Sequence, residues 1–288
     1  MDRILGRRLT PCCRLDDNFR VCPGRTFPAP CCKAGVSATG DKRSRNPQAH
    51  PMADPAKPLR ERARTPTEEE LAGVPWLAVL APSDRAAARR QIVIANAEPG
   101  DVICRIGRPA TYWFGVVDGL LKMSNNPGQG PAVTFTGVPP GAWFGEGTLL
   151  KREPYRYNIE ALRQSAVAGL PIEAFHALLD TSIAFNRFVL NQLNERLGQF
   201  IAARETDRQN DPDTRVARNL AALFHPVLYP GVGQLLRITQ QELAYLVGLS
   251  RQRVNQALKS LQARGLISID YGGLRVLDLA ALRAYAPD

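Results

Sequence analysis

The sequence predicts an α+β chain: a small jelly-roll domain (a double-stranded β-helix), then one long helix, then a winged helix-turn-helix. Three observations predict this. After Gln91, short runs of alternating apolar residues are broken by glycines at 100, 107 and 119, the pattern of a β-sandwich or barrel. From Pro171 the apolar period becomes helical and holds for a long stretch. Past Asp213, short helical runs with strong start and stop signals end in strand, Gly-Gly, strand.

The chain has 288 residues, which makes two folded domains the natural expectation. Four segments are expected: a disordered extension over 1–51, a β-roll over 52–181, a dimerisation helix over 182–211 and a winged helix-turn-helix over 212–288. The extension holds Cys12, Cys13, Cys22, Cys31 and Cys32, five of six cysteines, and no sustained period. Such a segment cannot bury enough apolar area to offset its ordering entropy. Met52 opens MADPAKPLRERARTPTEEEL, which reads like the start of a soluble protein. The first 51 residues are therefore expected to be a dispensable leader or to lie upstream of the true start. A redox- or metal-responsive thiol cluster is the alternative, although adjacent cysteines diverge and no CxxC pair occurs. A chain starting at Met52 that regulates fully and independently of thiol oxidants excludes it.

The net charge of +10 is uneven: +6 over 1–51, zero over 52–212 and +4 over 213–288. A basic last quarter behind a neutral middle fits a polyanionic partner. No apolar run approaches the ~20 residues of a membrane helix, and no signal peptide is evident, so a cytoplasmic protein is expected.

A helical lead-in is expected over Pro75–Gln91. In GDVICRIGRPATYWFGVVDGLLKM, Val102, Cys104 and Ile106, then Phe114 and Val116, alternate as strands do. NNPGQG is read as a hairpin loop and AVTFTGV as the next strand. Cys104 is expected to pack as a small hydrophobe. The histidines, His50, His176 and His225, all fall outside the strands, which argues against a metal-binding cupin, and no metal ligands are singled out in the roll.

The spacing of Gly100, Ile103, Gly107, Ala110, Phe114, Val117 and Gly119 resembles the first half of the cyclic-nucleotide-binding β-roll of the Crp/Fnr family of bacterial transcription regulators. In that family a Gly-Glu run holds the ribose and a downstream Arg-Ser/Thr pair holds the phosphate. In WFGEGTLLKREPYRYN, Gly145, Glu146 and Leu149 match, and Thr148 stands at the small-residue position. The resemblance then places Tyr155 at the arginine and Arg156 at the serine. Gly145, Glu146, Thr148 and Arg156 are the candidate effector residues. A cyclic nucleotide is disfavoured, and cyclic AMP in particular, because the arginine-serine half is displaced. The long helix also lacks the Thr-Ser pair that relatives use against adenine.

A short helix over Glu173–Leu179 is followed by Ile183, Asn186, Leu190, Leu193, Leu197 and Phe200 at alternating spacings of three and four. That is a heptad seam, expected to dimerise two chains. A buried helix in a monomer is the competing reading. Phe185, Phe188, Val189 and Ile201 widen the stripe, so the helix is also expected to pack on its own roll.

Asp211-Pro-Asp ends the helix, and another helix is expected over Asp213–Phe224. Then comes ITQQELAYLVGLSRQRVNQALKSLQARG. Thr239 and Glu242 form a capping box, Gly248 permits a sharp turn, and Ser250 caps a second helix. Two short helices joined by Gly-Leu-Ser are a helix-turn-helix. The second helix buries Val254, Ala257, Leu258 and Leu261. Its other face carries Arg251, Gln252, Arg253, Asn255, Gln256 and Lys259 and no acid. A merely solvated helix mixes signs, with acids in its first turn. LISIDYGGLRVLDL supplies the wing, and DNA is the expected partner.

SRQRVNQAL is close to the family's recognition helix, and the resemblance puts Arg251 at its guanine-reading arginine. Gln252 and Gln256 replace a glutamate and a second arginine. Glutamine suits adenine, so the half-site is expected to differ from the family's TGTGA-like sequence. Thr239, Gln241, Ser250 and Lys259 are placed for phosphate contacts. The resemblance implies a homodimer on double-stranded DNA with RNA polymerase as a further partner. No paired carboxylates, catalytic triad or Walker loop occur in the sequence, so an enzyme is not expected.

Overall fold

A computed structural model of the chain describes residues 59–125, 133–207, 211–270 and 273–286. The cysteine-rich extension and the start at Met52 lie outside the described residues. So do NNPGQG beyond Asn125 and the first two residues of the wing turn, Tyr271 and Gly272.

Two four-stranded antiparallel sheets build the roll. The first runs β1 (Val93–Ala97), β8 (Ser165–Pro171), β3 (Tyr112–Asp118), β6 (Trp143–Phe144). The second runs β2 (Val102–Cys104), β7 (Asn158–Ala161), β4 (Leu121–Asn125), β5 (Val133–Val138). The jelly roll follows from the alternation in sequence, with one correction. The pairing of β2 with β7 shifts register between Val102 and Cys104. That bulge puts an extra residue on one strand, so Val102 is exposed while Cys104 is buried, and Ile106 lies beyond the strand.

Around the roll lie α1 (Glu68–Ala72), α2 (Pro82–Arg89), α3 (Glu146–Leu150) and α4 (Ile172–Thr181). The single lead-in helix expected over Pro75–Gln91 is two pieces, a 3-10 turn at Pro75–Val79 and α2. Pro82 is the cause: a residue before proline avoids the helical region, and Ala81 is extended at ψ 152°.

The long helix is α5 (Ile183–Asp207), 25 residues. Ser182 separates it from α4 with an extended backbone, φ −119° and ψ 104°, and its hydroxyl accepts from the Phe185 amide at 3.2 Å. The first turn of α5 is anchored in the roll. Phe185 joins Trp76, Trp113, Trp143 and Phe175 in one aromatic cluster, with Trp113 and Trp143 ring centres 4.7 Å apart and Trp76 and Phe185 5.6 Å apart. Such edge-on and tilted pairs add to area burial.

Beyond α5 come α6 (Pro212–Ala222), β9 (Leu235–Leu236), α7 (Gln240–Val247), α8 (Arg251–Ala263), β10 (Ile267–Asp270), β11 (Gly273–Val276) and α9 (Leu279–Arg283). Strands β10, β11 and β9 form the wing sheet. This C-terminal part packs directly on the roll. Leu120 of the roll belongs to the helical core, and Leu228 and Tyr229, from the loop after α6, belong to the roll core. Gly137 of β5 makes the seat: a Cβ there would stand 2.7 Å from Leu246 Cδ1 and 2.9 Å from Leu223 Cδ2. Among the described residues no helix is long and apolar enough to cross a membrane.

Candidate nucleic-acid interface and effector cradle

The helix-turn-helix is assembled by local hydrogen bonds. Thr239 Oγ1 accepts from the Glu242 amide at 3.1 Å, and Glu242 Oε2 accepts from the Thr239 amide at 2.7 Å. The reciprocal pair satisfies two of the unpaired amides at the start of α7. Gly248 ends α7 at φ 65°, a left-handed conformation that costs an L side chain free energy. Ser250 Oγ accepts from the Arg253 amide at 3.2 Å and starts α8.

Val254, Ala257, Leu258 and Leu261 of α8 are buried, as the spacing predicts. Arg251, Gln252, Gln256 and Lys259 are exposed, and Asn255 is half-buried between them. Thr239, Gln241 and Ser250 are exposed at the starts of the two helices. Arg253 stands apart from the others: its Nη2 lies 2.6 Å from Asp213 Oδ1 at the start of α6.

Two arginines that the sequence reading did not single out adjoin this surface. Arg237 is exposed just before the capping box. Arg163, from the turn between β7 and β8, donates to both carboxylate oxygens of Glu242 and to the Arg237 carbonyl. Nothing in the sequence around Arg163 signals this, because its partners are far along the chain.

The cradle begins at Gly145, at φ 96°, and enters α3. Glu146 is buried. Arg196 of α5 donates from Nε to Glu146 Oε1 at 2.7 Å and from Nη2 to the Trp143 carbonyl at 2.8 Å. Burial opposes charge on Arg196, the neighbouring Glu146 carboxylate favours it, and the net effect of its surroundings holds the guanidinium pKa above its ordinary value. Glu146 Oε2 is buried without a hydrogen-bond partner. Thr148 of α3 is half-buried. Burial first, and then the Glu146 charge, push the Tyr157 phenol up and keep it protonated.

Arg156 is not brought to the cradle. Its side chain is 74 % exposed, and its Nη2 donates to Glu153 Oε2 at 2.7 Å. Residues 107–109 run alongside 154–155, with the Tyr155 amide on the Arg108 carbonyl and the Gly107 amide on the Tyr155 carbonyl. Tyr155 packs in the roll core, and the chain bends at Arg156 and Tyr157, leaving the Arg156 side chain in solvent. The Tyr155 hydroxyl donates to the Tyr112 carbonyl at 3.1 Å. Arg152, the other nearby cation, pairs with Glu173 at the surface. Cys104 lies against Tyr155, and burial raises its thiol pKa strongly, which keeps it protonated.

On α5, Ile183, Leu190 and Leu197 form an exposed apolar line, with Leu190 at 64 % and Leu197 at 60 % exposure. Phe200 and Ile201 continue it. Asn186 and Leu193 do not share that line. The Asn186 amide group donates to the Leu179 and Ser182 carbonyls and so ties α5 to α4. Leu193 packs against the roll core. A 3.6-residue helix drifts off a strict 3.5 repeat, and the roll takes the residues that turn toward it. No group of three or more histidine, cysteine or acidic side chains placed to hold a metal occurs among the described residues.

Comparison with known proteins agrees with this architecture. The cyclic nucleotide-binding domain family matches residues 95–182, and the Crp-like helix-turn-helix domain family matches residues 214–285. The chain is 29% identical over 182 residues to the transcriptional regulator LdrP of Thermus thermophilus, covering 62% of this chain and 90% of that protein. It is 29% identical over 191 residues to the transcriptional regulator SdrP of the same organism, covering 65% and 91%. The structure of FixK2 from Bradyrhizobium japonicum superposes with a TM-score of 0.54 at 15% identity, over 68% of this chain and 99% of that one, which speaks for the fold. With both family models matched in this order, a β-roll on a long helix and a winged helix-turn-helix behind it, the chain belongs to the Crp/Fnr family of transcription regulators.

Proposed function

We propose that the protein acts as a homodimer that binds a palindromic DNA site through α8, and that its roll is not controlled by cyclic AMP. It works in the cytoplasm, without catalytic activity, alongside RNA polymerase. Its working parts are the roll at 52–181, the dimer helix at 182–211 and the DNA-binding domain at 212–288. The observation that carries the DNA reading is the acid-free exposed row of Arg251, Gln252, Gln256 and Lys259 on a helix presented by a capped helix-turn-helix. Arg251 reads a guanine, the glutamines favour adenine, and Thr239, Gln241, Ser250 and Lys259 hold phosphates. The exposed Ile183, Leu190 and Leu197 line supports pairing of two long helices, which sets two recognition helices over half-sites about one DNA turn apart.

The cradle supports the second half of the reading. Glu146, the residue the family aims at a ribose, is already bonded to Arg196, and Tyr155 stands where the family has its phosphate-binding arginine. An anion entering there meets no free cation from the 145–157 segment. The roll accordingly takes an effector of other chemistry or none.

Selection from a randomised duplex library tests the DNA reading. The protein should enrich a two-fold symmetric site, and Arg251→Ala should bind with weak, salt-sensitive affinity and no base preference. Unaltered preference in that variant rejects the residue assignment. Titration calorimetry with cyclic AMP, cyclic GMP and cyclic di-GMP tests the cradle. Saturable, Glu146-dependent binding of cyclic AMP at micromolar concentration rejects the second half.

A further inference from the structure

Arg253 lies on the recognition helix, and its charge made it a candidate DNA reader. The structure gives it other work. Arg251, Gln252, Gln256 and Lys259 make no ion pair or side-chain hydrogen bond among the described residues. Arg253 is on the flank of α8, half-buried, and its guanidinium is against Asp213. Asp213 Oδ1 is buried, and the contact is an ion pair, since that oxygen receives no aligned hydrogen bond. A second carboxylate is close by. Asp211 caps α6, accepting from the Thr214 amide at 2.7 Å and the Thr214 hydroxyl at 2.6 Å. Burial pulls the Asp211 pKa up, but these hydrogen bonds outweigh it, the Arg253 charge adds to them, and the net shift is downward. Arg253 thus faces both acids at the start of α6, the first helix after α5, and α6 packs along α8.

We propose that Arg253 is a positioning residue and not a DNA-reading one: it clamps the first turn of α8 to the start of α6, and so fixes the pitch of the recognition helix against α6. The physical reason is the buried oxygen of Asp213. Without Arg253 that carboxylate keeps its desolvation cost and loses its counter-charge. The start of α6 and the first turn of α8 then have no charged bond between them. A sideways movement of α6 against α8 separates the pair, so the pair resists it. The clamp rests on the reading of α8 as the DNA-contacting helix, but the ion pair itself can be tested without DNA.

The test uses the full chain and the variants Arg253→Gln, Arg253→Lys, Asp213→Asn and the double Arg253→Gln/Asp213→Asn. Affinities are measured on the duplex selected by the wild type and on its single-base variants, at two salt concentrations. Arg253→Gln and Asp213→Asn should each weaken the selected site by roughly three- to thirtyfold, the double should be no worse than the poorer single, and Arg253→Lys should recover part of the loss. The rank order of bases and the salt slope should not change. A changed base preference in Arg253→Gln, or a salt slope smaller by about one in that variant and not in Asp213→Asn, makes Arg253 a DNA contact and overturns the proposal. Wild-type affinity in Asp213→Asn overturns it too. A double-mutant cycle on urea unfolding of the DNA-free protein supplies the independent measurement, and zero coupling there also rejects the clamp. A wild type that selects no sequence would instead sink the DNA reading, and the unfolding cycle would still decide the ion pair.

Discussion

Arg163 of the roll and Glu242 of α7 are 79 residues apart in sequence and joined by two parallel hydrogen bonds, Nε to Oε1 and Nη2 to Oε2, each 2.8 Å. The forked geometry matches guanidinium to carboxylate, and both side chains are largely covered. Glu242 also closes the capping box of α7. One carboxylate therefore starts the DNA-binding motif and fastens it to the roll. Arg163→Gln should lower stability by ~1–3 kcal/mol, and Glu242→Gln, which keeps the capping group, should show a coupling of that order with it in a double-mutant cycle. Additive losses would mean that this pair does not help to hold the two domains together.

Among the described residues, Arg196 of α5 and Glu146 of the roll form the most deeply buried ion pair. Removing one partner of such a pair strands the other in a medium that solvates it poorly. Arg196→Met should therefore cost ~3–5 kcal/mol, read from urea unfolding. The double variant Arg196→Met/Glu146→Gln should recover most of that, because a neutral amide needs no counter-charge. A double variant as unstable as Arg196→Met would show that the arginine acts through packing.

The exposed line on α5 makes a sharper prediction about assembly. Leu197→Glu puts a charge in the middle of the expected dimer seam, and Leu197 touches none of the three buried cores. Dimer affinity should fall by about 100-fold or more, seen by sedimentation velocity, with a folded monomer retained in circular dichroism. Dimers that persist in this variant would place the interface elsewhere.

His225 links α5 to the loop after α6. Its Nδ1 accepts from the Val227 and Leu228 amides at 3.3 and 3.2 Å, and its Nε2 lies 3.3 Å from Glu195 Oε2. Burial lowers its pKa, Glu195 opposes that, and Arg283 and Arg196 add to the lowering. The unfolded chain then takes up the proton first. The contribution to stability is complete above the unfolded pKa of about 6.5, and it falls as pH drops through the lower folded value. Stability should decline on acidification below pH ~6.5 in the wild type. In His225→Asn, which keeps an acceptor and loses the titration, this part of the decline should vanish. Parallel pH profiles would remove His225 from the account.

What could be read from sequence was local. The capping box at Thr239 and Glu242, the turn at Gly248, the cap at Ser250 and the buried set Val254, Ala257, Leu258 and Leu261 each depend on residues within a few positions of one another, and all stand as the spacing implied. Hydrogen bonds to neighbouring amides and a 3.6-residue period suffice for them. The jelly roll was legible for the same reason, except where a bulge in β2 shifted the alternation. The apolar period of α5 was legible, but a heptad count does not say which side of α5 the roll will take, and Asn186 and Leu193 went to the chain's own contacts.

The electrostatic pairs were decided by the tertiary structure. Arg163 with Glu242, Arg196 with Glu146 and Arg253 with Asp213 join separate elements, and a charged residue carries no local sign of its distant partner. WFGEGTLLKREPYRYN shows both regimes. Its sequence determined a glycine turn with a glutamate behind it, and the folded chain made the residues after that turn a short helix. The path of the neighbouring loop then turned Arg156 outward and Tyr155 inward, and the docking of α5 set Arg196 on the glutamate. Long-range ion pairs need two backbones to arrive at one place, and only the folded chain brings them there.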